Sequence, residues 1–179
     1  MGPFGSTPMG TVAGLVFTGL LAVAAVGDWR TRRIPNRLVG LIGCLGLVYA
    51  VSMQPVASGA LRGVGGMFIG LICWLPFYAL GWVGAGDVKL FSAAGAWLGP
   101  MGALEGALVG ALAGAVLALV WMARSRGMKE TAEVLGMAAG SPMLLAPNEE
   151  HARRSKLPYG IAIAFGAIWA GWLPGLLFA

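Results

Sequence analysis

Charge is what this sequence has least of. Only 11% of its 179 residues are charged, 58% are hydrophobic and the mean hydropathy is +0.81. Soluble domains are about a quarter charged, so this balance excludes an ordinary soluble domain and indicates a membrane protein. Histidine occurs once, at His151 beside Glu149 and Glu150, where a solvated surface residue is a simpler reading than a ligand. Cysteine occurs twice. Cys44 and Cys73 lie inside apolar runs and form no C-x-x-C pair, so neither a disulfide framework nor a metal site is indicated. No P-loop or serine-nucleophile pattern is present. Aspartate is nearly absent too: Asp28 and Asp87 are the only two.

What is present is a series of apolar runs, near residues 8–27, 38–54, 61–83, 88–99, 102–123 and 158–178. A helix needs roughly 20 residues to cross the hydrocarbon core. The pattern predicts an all-α fold: one polytopic bundle of about six transmembrane helices, a single domain over residues 1–179 embedded in the lipid bilayer. The run 88–99 is short, which suggests that Asp87 starts its helix below the membrane surface, in a wet recess lined by protein. The first run has no Lys or Arg before it and four arginines after it, the reverse of a signal peptide, so a retained helix is expected.

The net charge of +5 is not a nucleic-acid signal, because the basic residues cluster in two short polar stretches. Arg30, Arg32, Arg33 and Arg37 follow the first run. Arg124, Arg126, Lys129, Arg153, Arg154 and Lys156 lie in 124–157, the only extended polar segment, expected to be a cytoplasmic loop with a short helix near 128–138 as an option. Residues 51–60 and 99–104 carry no charge. Both chain ends outside then put the basic loops, and with them both aspartates, on the cytoplasmic side. Arg62 is the exception and is expected to snorkel outward. Glu105 is expected at the opposite membrane face, which makes it a poor catalytic candidate. Gly66 and Gly70, and Gly102, Gly106, Gly110 and Gly114, recur every four residues as stripes for close helix contact.

Carboxylates at a bilayer edge are costly and ask for a reason. The bland reading is that Asp28 pairs with an arginine and Asp87 caps a helix. The functional reading joins them. Two carboxylates that meet can share a proton, so that one accepts from water while the other donates to a scissile carbonyl. The flanking residues suit this. Gly84 and Gly86 permit a tight turn and close approach of an extended peptide. Lys89 offers a cation. Pro35, followed by Asn36, can start the second helix.

At these residues the sequence resembles a known family. Gly84-Ala85-Gly86-Asp87 matches the GxGD motif of intramembrane aspartyl proteases, and the stretch from Asp28 to Asn36 resembles the first-aspartate region of type IV prepilin peptidases. Lys156-Leu157-Pro158-Tyr159-Gly160 resembles that family's final motif. The likeness is greatest to the short branch serving tight-adherence (Flp-type) pili, the CpaA or TadV type. It implies an aspartic endopeptidase of the bacterial inner membrane that removes prepilin leader peptides on the cytoplasmic face, with Asp28 and Asp87 catalytic and with Gly84, Gly86, Lys89, Pro35 and Asn36 shaping the site. It also implies contact with pilus-assembly proteins. Longer members methylate the new N-terminus with an extra domain bearing paired cysteines. Without those cysteines, neither methyl transfer nor any cofactor is expected. Two other readings stand beside it: a transporter or proton relay, and a catalytically inert pilus-assembly component.

Overall fold

Proline and glycine punctuate the helices. The computed structural model describes residues 4, 7–31, 34–126 and 159–173, with side chains at 121–126 left aside. Helix α1 (Pro8–Thr31) starts with proline at its first position, and the Thr7 hydroxyl accepts the Gly10 amide at 3.1 Å, a side-chain N-cap. Helices α2 (Asn36–Met53) and α3 (Val56–Ala79) begin after Pro35 and Pro55. Pro35 therefore sits at the N-cap rather than inside the first turn, and its carbonyl accepts the Leu38 and Val39 amides.

The left-handed residue that ends α3 lies ahead of Gly84 and Gly86. Gly81 has φ 74°, and its amide bonds the Tyr78 carbonyl while that of Trp82 bonds Phe77. This is a Schellman ending for α3, which needs a residue without Cβ at the left-handed position. Neither Gly84 nor Gly86 has a positive φ.

Helix α4 (Ala85–Arg126) contains the apolar runs 88–99 and 102–123, broken at Gly99 (φ 75°, ψ 178°) ahead of Pro100. The chain reverses there. A continuous helix would hold residues 91 and 106 about 22 Å apart, yet a methyl built on Gly106 would lie 3.3 Å from the Phe91 ring. Arg62 does not snorkel away. Its guanidinium donates to the Leu98 carbonyl at 3.3 Å, closing the open end of the first arm of α4. The expected loop at 124–157 begins inside α4, and residues 127–158, with the optional helix near 128–138, lie outside the described residues. Helix α5 (Tyr159–Trp172) follows.

Among the described residues every regular element is a helix, and four of them are long and apolar enough to cross a membrane, α5 being shorter. Leu61, Val48 and Val12 are among many large apolar side chains left exposed on the outside of the bundle, as a lipid-facing surface requires.

Glycine contacts set the register. Gly66 faces Gly95 backbone to backbone and Gly70 faces Phe91, so α3 and the first arm of α4 run antiparallel. Gly43 meets Ala93 and Gly46 meets Ala96, so α2 runs parallel to that arm. On the second arm, Gly106 meets Gly166 and Ala170, Gly110 meets Ala162 and Gly114 meets Tyr159. The stripe Gly106, Gly110 and Gly114 thus seats α5. Gly102 instead packs against Leu98 at the reversal.

Candidate active site

Asp28 lies in the last turns of α1, where a carboxylate faces the negative end of its own helix dipole. It is 8% exposed, and its Oδ2 accepts the Gly160 amide at 3.1 Å. Gly160 is the second residue of α5, so the carboxylate sits at the positive end of another helix. Glycine is required at 160 by space: a methyl there would lie 2.8 Å from Asp28 Oδ2 and 3.0 Å from its Cβ.

Asp87 occupies the third position of α4 and is also 8% exposed. Its Oδ2 accepts the Gly84 amide at 3.0 Å, the reach-back half of a capping box. Asp87 does cap its helix, as the bland reading held, but from inside the first turn. Burial separates it from an ordinary surface cap.

Register brings these elements to one end of the bundle. Gly66 opposite Gly95 and Gly70 opposite Phe91 put Trp74, one turn on, at the level of Asp87. A methyl on Gly110 would touch the Trp74 indole at 3.3 Å, and the Ala162 carbonyl lies 3.4 Å from the same point. The first turn of α5 is therefore at this level too. Tyr159 and Gly160 are consecutive: Gly160 bonds Asp28, and the Tyr159 ring lies against Gly114 on the second arm of α4. The two aspartates thus approach the start of α5 from α1 and α4.

The other residues expected at the site separate into groups. A methyl on Gly86 would lie 3.6 Å from Ile34, which joins the segment after α1 to the start of α4. Gly84 supplies the amide for Asp87. Lys89 is exposed, two positions from Asp87 and so on a different face of α4. It makes no ion pair among the described residues. Pro35 and Asn36 are exposed at the start of α2. Glu105, expected at the far membrane face, is 3% exposed inside the bundle, adjacent to Gly106 at the level of Phe91.

Three residues of this end were not singled out as site residues from sequence: Gly160, Tyr159 and Trp74. The Pro-Tyr-Gly triplet before a final apolar run was a usable signal for the first two. Trp74 gave none, because it reads as one more apolar residue in a span.

Residues 15–119 match the family model described as the type IV leader peptidase family. Two curated proteins are similar. The prepilin leader peptidase/N-methyltransferase of Escherichia coli (strain K12) is 32% identical over 105 residues, 55% of this chain and 45% of that protein. The protein of the same name from Pectobacterium carotovorum subsp. carotovorum is 32% identical over 133 residues, 70% of this chain and 46% of that protein. This chain spans less than half the length of either. No solved structure matches. The family match takes in Asp28 and Asp87 and stops before α5.

Proposed function

The chain belongs to the type IV leader peptidase family, and from that premise we propose that it is a membrane aspartyl endopeptidase that removes leader peptides from prepilins, with Asp28 and Asp87 as the catalytic pair. The observation that carries this reading is that two buried aspartates, far apart in sequence, lie at the end of the bundle where α5 begins. In the reaction, one carboxylate takes a proton from water as its oxygen attacks the scissile carbonyl carbon. The other gives a proton to the carbonyl oxygen. Collapse of the diol breaks the C–N bond and passes a proton to the leaving amine.

The finer assignment follows from charge and motif. The basic stretch after α1 and the Lys/Arg-rich 124–157 segment favour a cytoplasmic location for the aspartate end, in a bacterial inner membrane. Likeness to the short branch favours Flp-type prepilins as substrates. The relatives' printed names include N-methyltransferase. This chain has no paired cysteines, and its segment 124–157 has no aromatic residue to stack an adenine, so we assign it cleavage without methyl transfer.

The test is cleavage of a Flp-type prepilin by purified protein in detergent, with labelled S-adenosylmethionine present. Wild type is expected to cleave and to leave the new N-terminus unlabelled. Asp28→Asn and Asp87→Asn should each lower the rate by about 10³-fold, because asparagine keeps the shape but exchanges no proton. A wild-type rate in either variant removes the pair assignment, and label on the product removes the restriction to cleavage. One observation favours a proton relay instead: Glu105 is buried within the bundle. Proton flux in vesicles without cleavage would support that reading.

A further inference from the structure

Trp74 is 2% exposed, and its indole nitrogen is buried with no hydrogen-bond partner among the described residues. A buried N–H without a partner is costly in any apolar interior, and more so where no water can reach it. Toward the other end of the bundle two indoles are satisfied, although that of Trp169, a turn from Trp172, is buried without a partner among the described residues. Trp97 donates to the Ile42 carbonyl at 2.8 Å, and Trp172 to the Thr18 hydroxyl at 3.1 Å.

Position gives the orphan donor a use. Trp74 stands at the level of Asp87 by the register of α3 on α4. Its ring packs 5.7 Å from that of Phe91, which lies one turn from Asp87 on the same face of α4. The Cζ2 atom, on the edge that carries the nitrogen, lies against Gly110, whose other neighbour is the Ala162 carbonyl in the first turn of α5. Gly110 leaves the room that lets this edge approach. The indole therefore lies in the layer where α5 begins, at the level of Asp87.

We propose that the Trp74 N–H is a substrate-binding donor that donates to a backbone carbonyl of the peptide being cleaved, an inference that rests on the peptidase reading. A helical substrate hides its carbonyls in its own i to i+4 bonds, so the segment around the scissile bond has to unwind to be cut. Unwinding inside a bilayer strands a carbonyl with no partner. An enzyme holding one stranded donor matches a substrate that acquires one stranded acceptor, and both costs are relieved together. The unpaired state of Trp74 is then the empty form of a binding contact.

The test compares Trp74→Phe with Trp169→Phe by cleavage kinetics and thermal melting in detergent. Trp169 is a control because its indole nitrogen is also buried and unpaired, yet it lies about 13 Å along α5 from Gly160. The expected result is a fall of about 10- to 100-fold in kcat/KM for Trp74→Phe, with melting unchanged or raised, and near wild-type cleavage for Trp169→Phe. Trp74→Phe cleaving within twofold of wild type overturns the inference, as does an equal loss in both variants. If Trp74→Phe melts lower, benzothienylalanine at position 74 keeps the ring shape and replaces N–H by sulfur: loss of cleavage in that protein upholds the proposal, and full cleavage overturns it. Failure of the wild-type protein to cleave any prepilin would overturn the peptidase reading itself, a distinct outcome.

Discussion

The two ends of the bundle are built on opposite plans. At the Gly99 end, Phe4, Phe17, Tyr49, Trp97 and Trp172 pack with ring centroids 5.3 to 6.3 Å apart, the Trp97 and Trp172 nitrogens have acceptors although that of nearby Trp169 does not among the described residues, and Arg62 closes the broken helix. At the aspartate end, two buried carboxylates each accept a backbone amide, and Trp74 holds a donor with no partner among the described residues. Interior polar groups normally find partners, so an end that leaves one unsatisfied gives up stability. One end fastens the helices; the other keeps hydrogen-bonding capacity for something outside the chain.

Substitutions can break this comparison. The largest effect is expected at Gly160. Alanine there pushes against Asp28 Oδ2 and Cβ, and cleavage should fall by about 100-fold, the cost of misplacing a catalytic group by a fraction of an ångström or more. Melting should shift little, which circular dichroism alongside the kinetics would check. An active Gly160→Ala protein would mean that the amide does not hold the carboxylate. Next comes Gly66→Ala at the backbone contact with Gly95. It should destabilise by about 1–3 kcal/mol through overpacking, seen as a lower melting temperature, with the activity of the folded fraction preserved. The smallest effect is expected for Arg62→Met, which removes one charge-assisted bond to the Leu98 carbonyl. About 1 kcal/mol of stability should be lost, with kcat unchanged. A change in kcat would show that the far end communicates with the aspartates.

The sequence made most of the helices legible, because spans of apolar residues in lipid leave few alternatives to a helix. It also picked out Asp28 and Asp87, since charge in such a chain is rare enough to be conspicuous. Other features were hidden for physical reasons. Gly84 and Gly86 drew attention as residues that permit a turn, while the left-handed residue that ends α3, Gly81, did not, because its role depends on carbonyls within α3. Arg62 looked like a stray surface charge because its acceptor is 36 residues away in sequence. The glycine stripe on α4 was visible, but its partner Gly166 was not, since complementarity between two helices appears only when both are in register. Trp74 was invisible for the same reason: an indole reads as apolar until the inventory of acceptors around it is known.

The hydrogen bond from Gly160 to Asp28 joins residues 132 positions apart, and this fixes an order of events during synthesis. Asp28 and Asp87 both leave the ribosome well before α5 does. Until that last helix is laid against α1, the Gly160 amide is not there for Asp28, and the site proposed at the two aspartates is incomplete. On the peptidase reading, competence thus waits for α5, so a chain made only as far as α4 poses little danger to its neighbours in the bilayer.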